Sequence, residues 1–185
     1  MITPKLDSMR ALYLEQLRDL HDAESQLVEA LPRVAEAAHN GELKVAIQEH
    51  LEVTLAHVAR LDDILAQLEE SPGRSACKGM VGLVMEASQA IDADADPRVR
   101  DAAIIAAAQR IEHYEIAGYG CAAAFAELLD EQQAADQLRA MLGEEKEADE
   151  ALSELARGSI NIEAARASEE MEPDHEADAG PATRR

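Results

Sequence analysis

The sequence predicts an all-α fold, a four-helix bundle of two antiparallel α-hairpins joined by a long crossover that carries a short extra helix. Three observations lead there. Of the 185 residues, 47% are hydrophobic but only 2% aromatic, and Ala, Leu, Glu, Asp, Arg and Gln outweigh the β-branched and aromatic residues that strands prefer. Apolar residues recur at spacings of about three, four and seven along four long segments, the signature of one buried helical face. Two of the connections between these segments are short turns and the one in the middle is long, so the first and second segments, and the third and fourth, must each fold back on one another.

The first helix is marked by Met9, Leu12, Leu17, Leu20, Leu27, Leu31 and Val34 and is expected from about Pro4 to Ala38. Pro32 lacks a backbone donor and is expected to kink it or slacken one turn. His39-Asn40-Gly41 makes the turn into a second helix from about Glu42 to Glu69, which stops at Ser71-Pro72-Gly73. Ala76 to Ile91 is short, apolar and Met-rich, with Met80, Leu83, Val84 and Met85, and is read as the crossover helix, a cap over the bundle or a dimer surface. After the acidic run from Asp92 to Asp96 and Pro97, a third long helix carries Ile104, Ile105, Ile111, Ile116, Tyr119 and Phe125 and reaches Leu129. Asp130-Glu131-Gln132 turns the chain into a fourth helix expected to end near Arg157-Gly158. One crossover between two hairpins is the connectivity of ferritin-like folds. Residues 1–158 are therefore assigned to the bundle domain. Residues 159–185, rich in Ser, Glu, Asp, Pro and Gly and containing His175, are expected to be an acidic, disordered tail with a frayed helical extension from Ile160 to Ala167.

Charge narrows the function. With 17 Lys and Arg against 38 Asp and Glu, the chain carries a formal charge of −21, and the absence of a basic cluster argues against nucleic acid as a partner. Cations are the better-matched ligands. No apolar run reaches the roughly 18 residues that cross a bilayer, and Met1 to Leu20 lacks the basic and apolar regions of a secretory signal, so no membrane partner and a cytoplasmic location are expected. Cys77 and Cys121 are too few for a disulfide framework and are read as reduced thiols. No Gly-rich phosphate loop, Ser/His/Asp arrangement or Cys-x-x-Cys pair supports a hydrolase, nucleotide-binding or dithiol-redox function.

The ionisable residues on the apolar stripes carry the functional argument. At about 100° per residue, Glu24 falls about 20° from Leu17 on the first helix, with His21 a turn away at about 40°. On the second, His50, Thr54 and His57 share the face of Leu43, Ile47, Leu61 and Leu65. On the third, Glu112 lies with Ile105, Ile116 and Tyr119, flanked by Glu115; on the fourth, Glu145 and Asp149 lie with Leu138, Leu142 and Leu152. Residues equidistant from a hairpin turn share a height, which pairs Glu24 with His57, Glu112 with Asp149, and Glu115 with the neighbour of Glu145.

Carboxylates are almost never buried unless they are paired or bound to a metal, and no Lys or Arg falls on these stripes. Glu24, His57, Glu112, Glu115, Glu145 and Asp149 are therefore the candidate ligands of two iron or manganese ions, hard-oxygen donors suited to stabilising an oxidised metal. The Glu-x-x-His spacing of many such centres is absent: Thr54 stands three before His57, and Glu145 is followed at i+4 by Asp149, which makes the set oxygen-rich. His50, two turns from His57, is read as a hydrogen-bonded core histidine, and Tyr119 as core packing.

Leu20-His21-Asp22-Ala23-Glu24-Ser25-Gln26-Leu27, Glu49-His50-Leu51-Glu52, Cys77-Lys78-Gly79-Met80, Ile111-Glu112-His113-Tyr114-Glu115-Ile116-Ala117 and Glu144-Glu145-Lys146-Glu147-Ala148-Asp149 resemble the YciE/YciF family of ferritin-like bacterial stress proteins, over roughly Lys5 to Ala156. The resemblance implies a ferritin-like bundle with a short extra helix, commonly a homodimer, associated with stress responses and carrying a di-metal centre. On matching positions Glu24, Glu112, Glu115, Glu145 and Asp149 correspond to the family's acidic motifs, His57 stands where a polar residue is frequent, and Val53 where an acid is common. The expectation is a stress-associated protein whose di-iron or di-manganese centre reacts with a small oxidant, oxygen or peroxide. The alternative is a non-catalytic helical stress protein that acts without metal through dimerisation or partner binding.

Overall fold

The computed structural model describes residues 6–73 and 76–171 of the chain. Helix α1 spans Met9–Ala37 and α2 spans Gly41–Gln67; α3 is the crossover helix Lys78–Asp92; α4 is Pro97–Leu128 and α5 is Gln132–Leu155. Each start has a local chemical reason. The Ser8 hydroxyl accepts from the Ala11 N–H, the Asn40 side chain from Glu42 and Leu43, and the Asp96 carboxylate from Arg98, with Pro97 at the first helical position where its missing N–H costs nothing. α2 and α4 stop in the same way. Glu69 and Asp130 take the left-handed conformation at φ 58° and 60°, and the following N–H groups of Glu70 and Glu131 reach back to the Leu65 and Ala126 carbonyls, closing two Schellman caps. The helix α1 continues through Pro32.

α1 packs against α2 and α4 against α5 as the two hairpins; across the bundle α1 neighbours α4 and α2 neighbours α5, while α3 lies over α1 and α4. At Gly118 a Cβ would come within 2.7 Å of the Leu20 side chain, so a residue without one lets α1 and α4 approach closely. Among the described residues no helix is long and apolar enough to cross a membrane.

The chain does not leave the bundle at Arg157-Gly158. After α5 it passes through one π turn, Ala156–Ile160, and continues as α6, Asn161–Met171, which packs on α4. The expected frayed extension and the start of the tail at residue 159 are corrected accordingly. Ile160 and Ala167, seven residues apart, are 1% and 0% exposed, and Arg98 near the start of α4 bonds Glu170 at 2.9 Å. A polar average composition conceals such a stripe, because two small apolar anchors suffice to dock a short helix. The remainder of the expected tail, residues 172–185 with His175, lies outside the described residues.

The core is not one continuous apolar body. Leu27, Leu31, Ile47, Met80, Ile104, Ile111, Leu152 and their neighbours fill one end, and Tyr13, Leu17, Leu20, Leu61, Leu65, Tyr119, Leu138 and Met141 fill the other. Between them lies a layer of buried polar side chains, Glu24, Thr54, His57, Glu112, Glu115 and Glu145.

Candidate metal centre

Every long helix places a side chain in that layer. On α1, Glu24 sits between Leu20 and Leu27 and is fully buried. Its Oε1 accepts from the Tyr119 hydroxyl of α4 and faces His57 Nδ1 at 3.0 Å. On α5, Glu145 brings Oε1 to 2.7 Å from the same nitrogen and Oε2 to 3.9 Å from His50 Nε2, and that nitrogen lies 3.5 Å from Glu112 Oε1. Glu115 is fully buried beside them.

Two ligand groups result. His50, Glu112, Glu115 and Glu145 offer atoms all within 4.8 Å of one another, and so do Glu24, His57 and Glu145. Glu145 belongs to both. Glu24 Oε2, His50 Nε2, Glu112 Oε2, both oxygens of Glu115 and Glu145 Oε2 are buried without a hydrogen-bond partner, and Glu145 Oε1 has the His57 imidazole beside it, although buried polar atoms are overwhelmingly paired in folded proteins. This donor set fits two divalent cations, which would satisfy those atoms together.

Electrostatics point the same way. Burial, and then the neighbouring carboxylates, push Glu112 and Glu115 well above the usual carboxylate range. Burial would likewise raise Glu145, but His57 and His50 outweigh it and hold it low. Burial alone would lower His57; the Glu145 and Glu24 carboxylates overcome it and raise the imidazole to about 10. The layer thus contains more carboxylate than its histidines neutralise, and protons on Glu112 and Glu115 make up the difference when no cation does.

His57 is also held from outside. Its Nε2 lies 2.6 Å from Glu144 Oε2, and Arg60 grips the same carboxylate with Nη1 at 3.1 Å and with Nη2. A histidine that ligates a metal through one nitrogen characteristically donates its other N–H to a carboxylate, which fixes the ring. Nδ1 is the nitrogen that faces Glu24 and Glu145.

Five of the six residues expected from the sequence, Glu24, His57, Glu112, Glu115 and Glu145, are brought together. Asp149 is not. Its Oδ1 accepts from Gln109 Nε2 at 3.0 Å and lies 3.6 Å from exposed His113, at the flank of the α4–α5 seam. The hairpin register put it at the right height, but four residues beyond Glu145 a helix has turned about 40° further, enough to leave the cluster. His50 takes its place, and its signal was the two-turn spacing from His57 on one face. His21 faces outward to Asp62 at 2.9 Å. Glu144 and Arg60 were missed, because their meeting depends on α2 lying beside α5, which neither hairpin alone specifies.

A pocket of about 230 Å³ opens between α2 and α5 and reaches the cluster. Leu31, Ile47, Leu152 and Glu112 form its buried part, His50 and Val53 its α2 wall, and Glu49 and Glu147 its exposed edge.

The comparisons with known proteins agree with this architecture. The profile of a family described as a domain of unknown function, DUF892, matches residues 8–165. Protein YciF of Escherichia coli K12 is 39% identical over 160 residues, 86% of this chain and 96% of YciF. The crystal structure of the E. coli stress protein YciF superposes with a TM-score of 0.81 over 84% of this chain and 98% of that one. YcfI of Rhodopseudomonas palustris, also 39% identical, gives a TM-score of 0.78 over 83% and 98%. From residue 8 to residue 165, then, the chain, with Glu24, His50, His57, Glu112, Glu115 and Glu145 gathered inside its bundle, belongs to the DUF892 family.

Proposed function

We propose that this protein is a ferritin-like stress protein that holds a di-iron or di-manganese centre in its polar layer and reacts there with oxygen or peroxide. The observation that carries the reading is the convergence of unpartnered buried oxygens from Glu24, Glu112, Glu115 and Glu145 with the unpartnered His50 Nε2. An acidic layer this deeply buried is costly without compensating charge, and two divalent cations held by Glu24, His50, His57, Glu112, Glu115 and Glu145 would supply it. Two redox-active ions so held would exchange electrons with dioxygen or peroxide.

The protein's own residues do the rest. Glu144 and Arg60 orient His57, the Tyr119 hydroxyl holds Glu24, and the apolar clusters close the two ends of the layer to bulk water. The second reading, a non-catalytic protein that acts as a homodimer or through a partner, is favoured by the exposed Val81 and Met85 on α3.

Metal analysis by mass spectrometry separates the two. Wild type and a Glu24→Ala plus Glu112→Ala variant are purified without chelators from iron- and manganese-supplemented cells. Near two ions per chain, lost in the variant, supports the centre, and an optical change on adding peroxide to the loaded protein supports the reaction. Metal-free wild type sinks this reading and leaves the second.

A further inference from the structure

The pocket between α2 and α5 is larger than an oxidant requires. A cavity of roughly 150 Å³ lined by Leu, Ile and Phe accepts benzene, whereas this one measures about 230 Å³; oxygen or peroxide would leave most of it empty. Its walls are selective. Leu31, Ile47, Val53 and Leu152 offer apolar surface for a ring-sized body. Its inner part contains Glu112, 3% exposed and with Oε2 lacking a partner. At the edge Glu49 and Glu147 are exposed to solvent, in a chain whose formal charge is −21.

Val53 matters most. It lies between His50 and His57 on α2, three residues after one and four before the other, and lines the pocket where a polar side chain there would face the cluster. The pocket therefore reaches His50 and Glu112 beside an apolar side chain of α2.

We propose that this pocket binds a small organic amine, its apolar body against Ile47, Val53 and Leu152 and its ammonium group at the edge carboxylates Glu49 and Glu147, as the organic substrate presented to the centre. The substrate role rests on the di-metal reading above; the binding of the amine does not. Carboxylates at the rim attract a cation and repel an anion of the same shape, so three probes of matched size discriminate.

The experiment titrates benzylamine, benzyl alcohol and benzoate into metal-free full-length protein, followed by the methyl NMR signals of Leu31, Ile47, Val53 and Leu152, with metal content measured on parallel preparations. Saturable shifts confined to those methyls are expected, with benzylamine about tenfold tighter than benzyl alcohol, a difference near 1.4 kcal/mol, and benzoate weaker still. Ala148→Phe, which fills the pocket from α5, abolishes binding, and its thermal melt verifies folding. Glu49→Gln with Glu147→Gln removes the preference for the amine but keeps alcohol binding. No saturable shift in those methyls, or equal affinity for benzylamine and benzoate, overturns the proposal. Amine binding in a protein that never takes up metal keeps the pocket and removes only the di-metal reading; full metal loading without amine binding does the reverse.

Discussion

His57 and Glu144 connect the buried layer to the half-exposed flank of α5: Nε2 of the imidazole lies 2.6 Å from the carboxylate while Nδ1 faces Glu24 and Glu145. Glu144→Gln weakens the acceptor that fixes this ring and loosens Arg60 with it. Such partners of a metal-binding histidine typically contribute about 10–100-fold to affinity, so Mn²⁺ titration against a competing chelator is expected to show a loss in that range with the fold intact. An unchanged affinity would remove Glu144 from the site.

Metal uptake should release protons. Glu112 and Glu115 are held above the usual carboxylate range by burial and then by the neighbouring Glu145 and Glu24 carboxylates, and His57 is raised to about 10 by Glu145 and Glu24 against its burial. A cation replaces those protons. Calorimetry in buffers of different ionisation enthalpy is expected to show net proton release at pH 7, and affinity is expected to rise with pH.

The same shifts set the stability of the metal-free protein. A group whose pKa is raised by folding contributes stability that is complete below its unfolded pKa and is lost as pH rises through its folded one. For His57 that loss runs from about 6.5 to about 10; for Glu112 and Glu115 it begins near 4.3, the ordinary glutamate value, and has the same sign. The melting temperature of metal-free protein should therefore fall from pH 5 to pH 10, and metal-loaded protein should resist that fall. A metal-free melting temperature that rises over this interval would contradict the assignment.

Most of the fold and much of the site were legible because helices carry their own directions. Spacing identified α1 to α5, and hairpin register paired Glu24 with His57 before any contact was known, as their 3.0 Å separation bears out. What escaped depended on the lateral order of helices. Glu144 and Arg60 meet only because α2 neighbours α5, and Asp149 was displaced by a small rotation that height alone does not report. His50 was visible on the correct face and was undervalued because a lone histidine on an apolar stripe is more often packing. The helix beyond Gly158 was hidden by composition: it is polar except at the positions that dock.

Ile160 tests that last point. It is 1% exposed in a segment that composition alone assigns to a tail. Ile160→Ala is expected to destabilise the protein by about 2–4 kcal/mol, the range for truncating a buried isoleucine, measured by urea unfolding. An effect within about 0.5 kcal/mol, as for surface positions, would show that the turn after α5 is not anchored to the bundle through Ile160.

Glu69 tests the caps. A residue with a Cβ at φ 58° carries a penalty that glycine avoids. Glu69→Gly, at the turn after α2 and far from the polar layer, is expected to stabilise the protein by about 0.5–1 kcal/mol, less the unfolded-state entropy that glycine adds, read as a shift in urea midpoint with unchanged slope.

The apolar clusters at the two ends of the bundle bear on traffic as well as stability. A layer stoppered above and below by leucine, isoleucine and tyrosine gives a hydrated ion no axial route. The two hairpins are zipped along their length, whereas α2 and α5 touch far more sparsely, and at that seam stand the Arg60–Glu144 pair and the mouth of the pocket. The α2–α5 seam is therefore the side on which the polar layer comes nearest to solvent, with the Arg60–Glu144 pair at its edge.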